Sequence, residues 1–329
     1  MSLPQIEAKL RRIGLDRYMM LLILTVVLAS LLPASGGFAE VLRTVTYWAV
    51  ALLFFLYGAK LSTATIVAGF ANWKLQLSIL LCTFALFPVL CLLMQPLLAI
   101  WLPASIGIGF LYIGCLPSTV QSSIAFTSVS QGNVPGALCA ASISNLIGVV
   151  ISPLLFSQII PHTGEISVDP SAIWKITQQI LIPFVIGQFC RPLLANWLNR
   201  NKTPTMVVDR GSILLIVYSA FSAGVVNGIW KVISPADLAL LVISCLLLLA
   251  VVMGLAIGGG KLAGMPRADL KALLYCGSTK SMATGLPLAG ILFAGQDISL
   301  IVLPLMLFHL LQLMICAAIS QQMAARYKR

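Results

Sequence analysis

Lys280 stands alone inside an apolar run from about Ala272 to Phe293, within Leu274-Tyr275-Cys276-Gly277-Ser278-Thr279-Lys280-Ser281-Met282-Ala283-Thr284-Gly285-Leu286-Pro287. An ammonium at bilayer depth costs roughly 2.5 to 3.5 kcal/mol on insertion scales, so a charge kept there marks a transport path or its partner. A second polar patch interrupts another apolar run at Gly114-Cys115-Leu116-Pro117-Ser118-Thr119-Val120-Gln121-Ser122-Ser123-Ile124-Ala125-Phe126-Thr127. Hydroxyls, an amide and one fixed positive charge are a set for gathering an anion, because each supplies a hydrogen-bond donor or charge that a negative group needs, and a helix breaker beside them unwinds backbone whose N–H groups can join them. They are a thin set for catalysis. No H-E-x-x-H, paired aspartates or Ser-His arrangement occurs in the apolar runs, and the chain holds only two histidines, His162 and His309. The chain is therefore not read as an enzyme, and no cofactor is implied.

The elements that position these groups follow from composition. With 329 residues, 60% of them hydrophobic and 9% charged, the chain belongs in a lipid bilayer. A crossing helix needs about 20 apolar residues, and that ruler places ten spans near 18–33, 41–60, 73–98, 106–129, 134–160, 172–192, 210–230, 235–258, 271–293 and 298–322. The fold class is all-α and polytopic. The segments between spans are too short for a soluble domain, and the net charge of +11 does not gather with aromatics on any soluble module, which argues against a nucleic-acid partner.

The basic residues sort by side of the membrane. With the N-terminus inside, the inside segments carry sixteen lysines and arginines and the outside segments three, Arg43, Lys175 and Lys231, with Lys280 left over. The positive-inside rule then puts both termini in the cytoplasm. The first span also has the look of a signal peptide, with Lys9 to Arg17 before it and Pro33-Ala34-Ser35-Gly36-Gly37 after it. Removing it would leave nine spans and spoil the charge asymmetry, so it is read as a span. Leu3, Ile6, Leu10 and Ile13 recur at helical spacing, and residues 1–17 read either as an amphipathic interfacial segment or as a frayed tail. Trp73, Trp101, Trp174, Trp197 and Trp230 fall near span ends as interfacial anchors. The eight cysteines lie in apolar segments without C-x-x-C spacing and read as small buried hydrophobes.

Ten spans divide into two fives, 18–160 and 172–329, joined by a linker at 161–171, and an odd number of helices per half inverts the second half. Matching Gly/Pro-interrupted spans in two inverted halves are the sequence pointer to a transporter's binding site. The fourth and ninth spans match in this way. Both are expected to be unwound and to cross, with half-helix N-termini turned toward a shared centre. The candidate substrate-binding residues are Ser118, Thr119, Gln121, Ser122, Ser123, Asn145, Cys276, Gly277, Ser278, Thr279, Lys280 and Ser281, with Lys280 and His309 as charge or coupling residues. Blander readings stand beside these. Hydroxyls in a membrane helix bond back to their own backbone, a lysine can snorkel, His309 can be a packing residue, and Ser144 and Asn145 can simply bridge helices.

Leu116-Pro117-Ser118-Thr119-Val120-Gln121-Ser122-Ser123, Gly132-Asn133-Val134, Ile180 to Gly187 and Cys276-Gly277-Ser278-Thr279-Lys280-Ser281 resemble the bile acid:sodium symporter superfamily, solute carrier family 10 and its bacterial relatives. The resemblance runs from about Arg17 to Ala325 and sides with the YfeH-type bacterial branch and the branch of the seventh solute carrier family 10 member. It implies a bacterial inner-membrane transporter with a panel domain (spans 1, 2, 6 and 7) and a core domain (spans 3 to 5 and 8 to 10). In sodium-coupled members a Pro-Gly-Gly stretch, a Ser-Asn pair, a third-span Gln and a ninth-span Glu with Gln-Asn hold sodium. Here Ser118 and Thr119 replace the glycines, Tyr275 takes the place of the Glu, Thr279 and Lys280 stand where Gln-Asn would be, and Thr83 is the counterpart of the third-span Gln. A sodium site, if kept, would fall to Thr83, Ser122, Ser123 and Ser142.

Exchanging a carboxylate for an ammonium lets the lysine stand in for the cation. The expected function is secondary active transport of a small organic anion, sodium-independent or proton-coupled. Sodium-coupled symport and a non-transporting role in ion homeostasis are the alternatives. The substrate, the transport direction and the oligomeric state are left open by the sequence.

Overall fold

The computed structural model describes residues 17–60, 72–159, 174, 177–226, 228–293 and 298–327, and its described elements are helices. In chain order they are α1 (Arg17–Leu31), α2 (Gly36–Lys60), α3 (Trp73–Leu98), α4 (Ala104–Cys115), α5 (Gln121–Val129), α6 (Val134–Ile159), α7 (Ile182–Arg200, entered through a π-helical turn at Thr177–Leu181), α8 (Lys202–Val226), α9 (Ile229–Val232), α10 (Pro235–Leu262), α11 (Arg267–Ser278), α12 (Met282–Leu292) and α13 (Ser299–Tyr327). Residues 1–16, the linker at 161–171 and His162 lie outside the described part.

Seven of these helices are long and apolar enough to cross a membrane. The other three expected spans are shorter or divided. α1 has 15 residues, the fourth span is split into α4 and α5 of 12 and 9 residues, and the ninth into α11 and α12 of 12 and 11. Leu93, Leu97, Phe189, Leu193 and Leu262 face outward. Such residues are costly in water but ordinary where the solvent is lipid tail, since apolar surface then gains nothing from hiding. Trp73, Trp101, Trp174 and Trp197 are likewise exposed. All eight cysteines are free thiols, seven of them buried.

Packing sorts the helices into two groups. α2 packs closely on α7, and α8 packs on both α1 and α2. The α2–α7 approach depends on two glycines: a Cβ on Gly58 would sit 2.0 Å from the Phe184 carbonyl oxygen, and one on Gly187 would sit 2.0 Å from that of Phe55. α3 to α6 and α10 to α13 form the second group, in which α4 packs on α13 and α3, and α10 on α11. α8 touches α12 and α13 across the seam between them.

Local chemistry sets the irregularities. α10 starts with a capping box in which Ser234 and Asp237 satisfy each other's backbone N–H groups, followed by Pro235 at the first turn, where no N–H is needed. α3 contains a π-helical turn at Cys82–Leu86, closed by the Phe87 N–H on the Cys82 carbonyl. In that register the next donor belongs to residue 88, which is Pro88 and has none, so the Thr83 carbonyl is left without a helical partner. α4 stops before Pro117 for a related reason: proline supplies no N–H, and it holds the residue before it extended, as Leu116 is with φ −81° and ψ 153°.

Candidate functional site

The two breaks meet. The backbone N–H of Ser281, between α11 and α12, donates to the carbonyl of Pro117, between α4 and α5, at 2.8 Å. Side chains reinforce the crossing: Ser118 Oγ donates to the Cys276 carbonyl at 2.6 Å, and the Thr119 and Thr279 hydroxyls lie 2.8 Å apart. Unwound backbone at this depth must find partners inside the protein, and a long helix beside each break provides them.

On α6, Ser144 Oγ accepts from the Ser118 N–H at 3.0 Å and Asn145 Nδ2 donates to the Ser118 carbonyl at 2.7 Å. On α13, Gln312 does both jobs with one amide, accepting from the Lys280 N–H at 2.8 Å and donating to the Lys280 carbonyl at 2.9 Å. Asn145 also accepts from Thr284 Oγ1 at 2.9 Å, which links the first clamp to the start of α12. The N-terminus of α12 is capped by Ser281, whose Oγ accepts from the Thr284 N–H.

The Lys280 side chain is fully buried. Its Nζ donates to the carbonyls of Thr83 at 2.7 Å, Gly114 at 2.9 Å and Leu116 at 2.7 Å, and lies 4.1 Å from the centre of the Phe87 ring. An ammonium has three N–H donors, and all three are taken. Each acceptor is an orphan: Thr83 through the proline in its π turn, and Gly114 and Leu116 because they end α4, where no helical N–H follows. That terminus also carries the negative end of the helix dipole, and the aromatic face adds a cation–π contact. The charge is balanced by dipoles, with no carboxylate bonded to it.

A cavity of about 690 Å³ lies along the seam between the two helix groups. Phe54, Tyr57 and Lys60 of α2, Phe184 of α7 and Arg210 of α8 form one wall, and residues of α5, α6, the α12 start and α13 the other. Among its described lining residues Lys60 and Arg210 are charged and none is acidic.

The sequence profile of the SBF-like CPA transporter family matches residues 16–325. This chain belongs to that family. An uncharacterized protein of Pseudomonas aeruginosa is 45% identical over 311 residues, covering 94% of this chain and 93% of that protein. The Escherichia coli protein named "Putative symporter YfeH" is 44% identical over 325 residues, covering 98% and 95%. Sodium/bile acid cotransporter 7 of Rattus norvegicus is 28% identical over 324 residues, covering 93% and 92%. The family resemblance drawn from the crossover residues therefore holds, and the chain is a multi-pass transporter-family membrane protein.

Within this SBF-like chain the expected site residues separate into two sets. Thr119, Gln121, Ser122, Ser142, Asn145, Ser281 and His309 line the cavity. Ser118, Ser123, Cys276, Ser278, Thr279 and Lys280 are buried behind it; Ser118, Cys276, Thr279 and Lys280 tie the breaks together, Ser123 and Ser278 bond back to their own segments, and Gly277 packs against Cys82. The side chain of Lys280 thus faces the carbonyl cage, while its own backbone abuts the clamp at Gln312. The hydroxyls proposed for sodium are already engaged: Ser123 and Ser142 donate to carbonyls one turn back, and Ser122 donates to Thr119 Oγ1 at 2.9 Å. No acid stands among these residues. Thr83 contributes its carbonyl to the lysine, and its buried Oγ1 has no partner.

Sequence reasoning missed Gln312, Thr284, Lys60 and Arg210. Gln312 left a signal in hindsight, standing three residues after His309 and so on the same face of an apolar helix. Nothing in the sequence marks Lys60 or Arg210 apart from other basic residues at span ends.

Proposed function

We propose that this protein is a secondary active transporter of a small organic anion. The supporting observation is the Lys280 ammonium held at the crossing of two broken helices by three carbonyls and no acid, beside a cavity whose charged lining is basic. Lysine takes the place of a coupling cation: its ammonium neutralises the carbonyl ends of α4, so the crossover does not wait for sodium. The anion lies in the cavity, contacting Thr119, Gln121, Ser122, Asn145, Ser281 and Thr284 with its charged group and the aromatic residues of α2 and α7 with its body. Lys60 and Arg210 draw it in. The positive charge of Lys280 acts at a distance, through low-dielectric protein, and adds to the N-terminal dipole ends of α5 and α12.

Ten spans, an inverted five-plus-five repeat and a panel (spans 1, 2, 6 and 7) moving against a core (spans 3 to 5 and 8 to 10) are the architecture in which this site alternates its access. The matching clamps on Ser118 and Lys280 favour the repeat, and the two packing groups favour the panel and core. The sixteen-to-three charge asymmetry favours an inner-membrane location with cytoplasmic termini.

A thermal-shift screen of the purified protein against carboxylates, sulfonates and phosphates, with sodium or choline as the cation and across pH, tests this reading, because only ligands that prefer the native fold raise its melting point. An anion that stabilises the protein equally in both salts, and exchanges by counterflow in proteoliposomes, is the expected result. A strict sodium requirement would overturn the role given to Lys280. No stabilisation and no counterflow with any anion would favour a non-transporting role.

A further inference from the structure

His309 lies on the cavity wall and touches the clamp that holds the ninth-span break. Gln312 cannot choose its orientation: its oxygen must face the Lys280 N–H and its NH₂ the Lys280 carbonyl. That NH₂ also reaches His309 Nδ1 at 2.8 Å. An NH₂ group only donates, so Nδ1 is an acceptor and the neutral ring carries its proton on Nε2. Proton binding places a second hydrogen on Nδ1, against the NH₂ of Gln312. Rotating the amide would set oxygen against the Lys280 carbonyl and NH₂ against the Lys280 N–H, losing both clamp bonds. The Lys280 carbonyl, 3.3 Å from Nδ1, can accept from the imidazolium, in competition with Gln312.

We infer that His309 is a proton-binding site for transport, and that an imidazolium there and the Gln312 clamp on Lys280 exclude each other. The inference rests on the transport reading and names its coupling ion as the proton. The surroundings give it direction. The titratable groups carried by the helices packed against α13 are Tyr112 and Cys115 of α4, Asp237, Cys245 and Lys261 of α10, and Lys202, Asp209, Arg210 and Tyr218 of α8, with Lys280 in the break, Cys316, Arg326 and Tyr327 on α13 itself and Lys60 across the cavity. α4, α5 and α12 have no acid in their sequence. An imidazolium on the cavity wall adds to the positive charge that Lys60 and Arg210 bring there, and an anion seated in the cavity offsets it. Anion and proton are thus bound together, and their arrival loosens the break that frames the site.

Hydrogen exchange of the full-length protein in lipid nanodiscs tests this without a known substrate. The probe is the peptide containing Thr279 to Met282, with rates corrected for the intrinsic pH dependence of amide exchange. A single linked proton makes opening about tenfold more favourable per pH unit below the imidazole range, and the wild type is expected to lose protection with that slope. His309→Asn keeps an acceptor near the Nδ1 position and cannot titrate; it is expected to stay protected at every pH. His309→Gln serves the same purpose should the first variant not be recovered folded. Gln312→Leu is expected to be unprotected throughout. A flat wild-type profile, or a step that survives in the non-titrating variant, overturns the inference. Either result leaves the anion screen and counterflow untouched, so the transport reading fails or stands separately.

Discussion

Ser118 and Lys280 occupy corresponding places in the two breaks: each has both its backbone N–H and its carbonyl bonded by side chains of the long helix that follows, Ser144 and Asn145 in one case and Gln312 in the other. At that shared place one residue carries a hydroxyl, which reaches across to the Cys276 carbonyl, and the other an ammonium, which reaches across to α3 and α4. Each break is thus stitched to the opposite half of the crossing by the side chain of its clamped residue.

Lys280→Met should destabilise the protein by about 3 kcal/mol or more, because three buried carbonyls lose their donor and a buried unsatisfied polar group costs roughly 1 to 3 kcal/mol. Thermal unfolding of the detergent-solubilised protein measures it. A melting point equal to that of the wild type would show that the cage does not hold the crossover.

Lys280→Ala should convert the cage into a cation site. The vacated space is faced by the Thr83, Gly114 and Leu116 carbonyls and by the unpartnered Thr83 hydroxyl. Replacing choline by sodium is expected to recover about 1.4 kcal/mol of the lost stability once sodium reaches tenfold its dissociation constant, whereas the wild type is indifferent. Identical responses in the two proteins would remove the idea that lysine replaces a cation.

Gly58→Ala and Gly187→Ala should each cost about 2 kcal/mol or more, since the added methyl group would overlap a backbone carbonyl that has no room to move. Gly254→Ala is the control: a Cβ there meets nothing within 4 Å, and a helical Gly→Ala change gains about 0.5 to 1 kcal/mol. Melting points of the three variants should fall on opposite sides of the wild type.

Asn145→Leu should cost about 2 kcal/mol and abolish anion-induced stabilisation, because it leaves the Ser118 carbonyl and the Thr284 hydroxyl without their partner at the cavity edge. Retained stabilisation by an anion active on the wild type would place the cargo away from this edge.

Lys60→Gln and Arg210→Gln should each weaken anion affinity by roughly tenfold, about 1.4 kcal/mol, and flatten its dependence on ionic strength. Thermal-shift titrations at low and high salt report both effects, and an unchanged salt dependence would assign the basic pair to another task.

Much of the site was legible because its causes are local. Pro117 removes a backbone donor wherever it stands in a helix, and a Gly-Ser-Thr-Lys-Ser string in an apolar run advertises a span that cannot stay regular. The two breaks, the family and the membrane setting follow from such features. Lys60 and Arg210 were not legible as cavity residues, since membership of a cavity depends on which helices pack face to face, and α2 meets α7 through glycine contacts more than a hundred residues apart in the chain.

By itself the sequence determined that a lone ammonium lies at bilayer depth between helix breakers with no acid to pair it. Only the tertiary structure decided where that ammonium points. Its three acceptors come from a π turn before Pro88 and from the end of α4, segments between 164 and 197 residues distant from Lys280. A side chain aims at the unsatisfied groups within its reach, and which groups are unsatisfied and near is a property of the packed bundle.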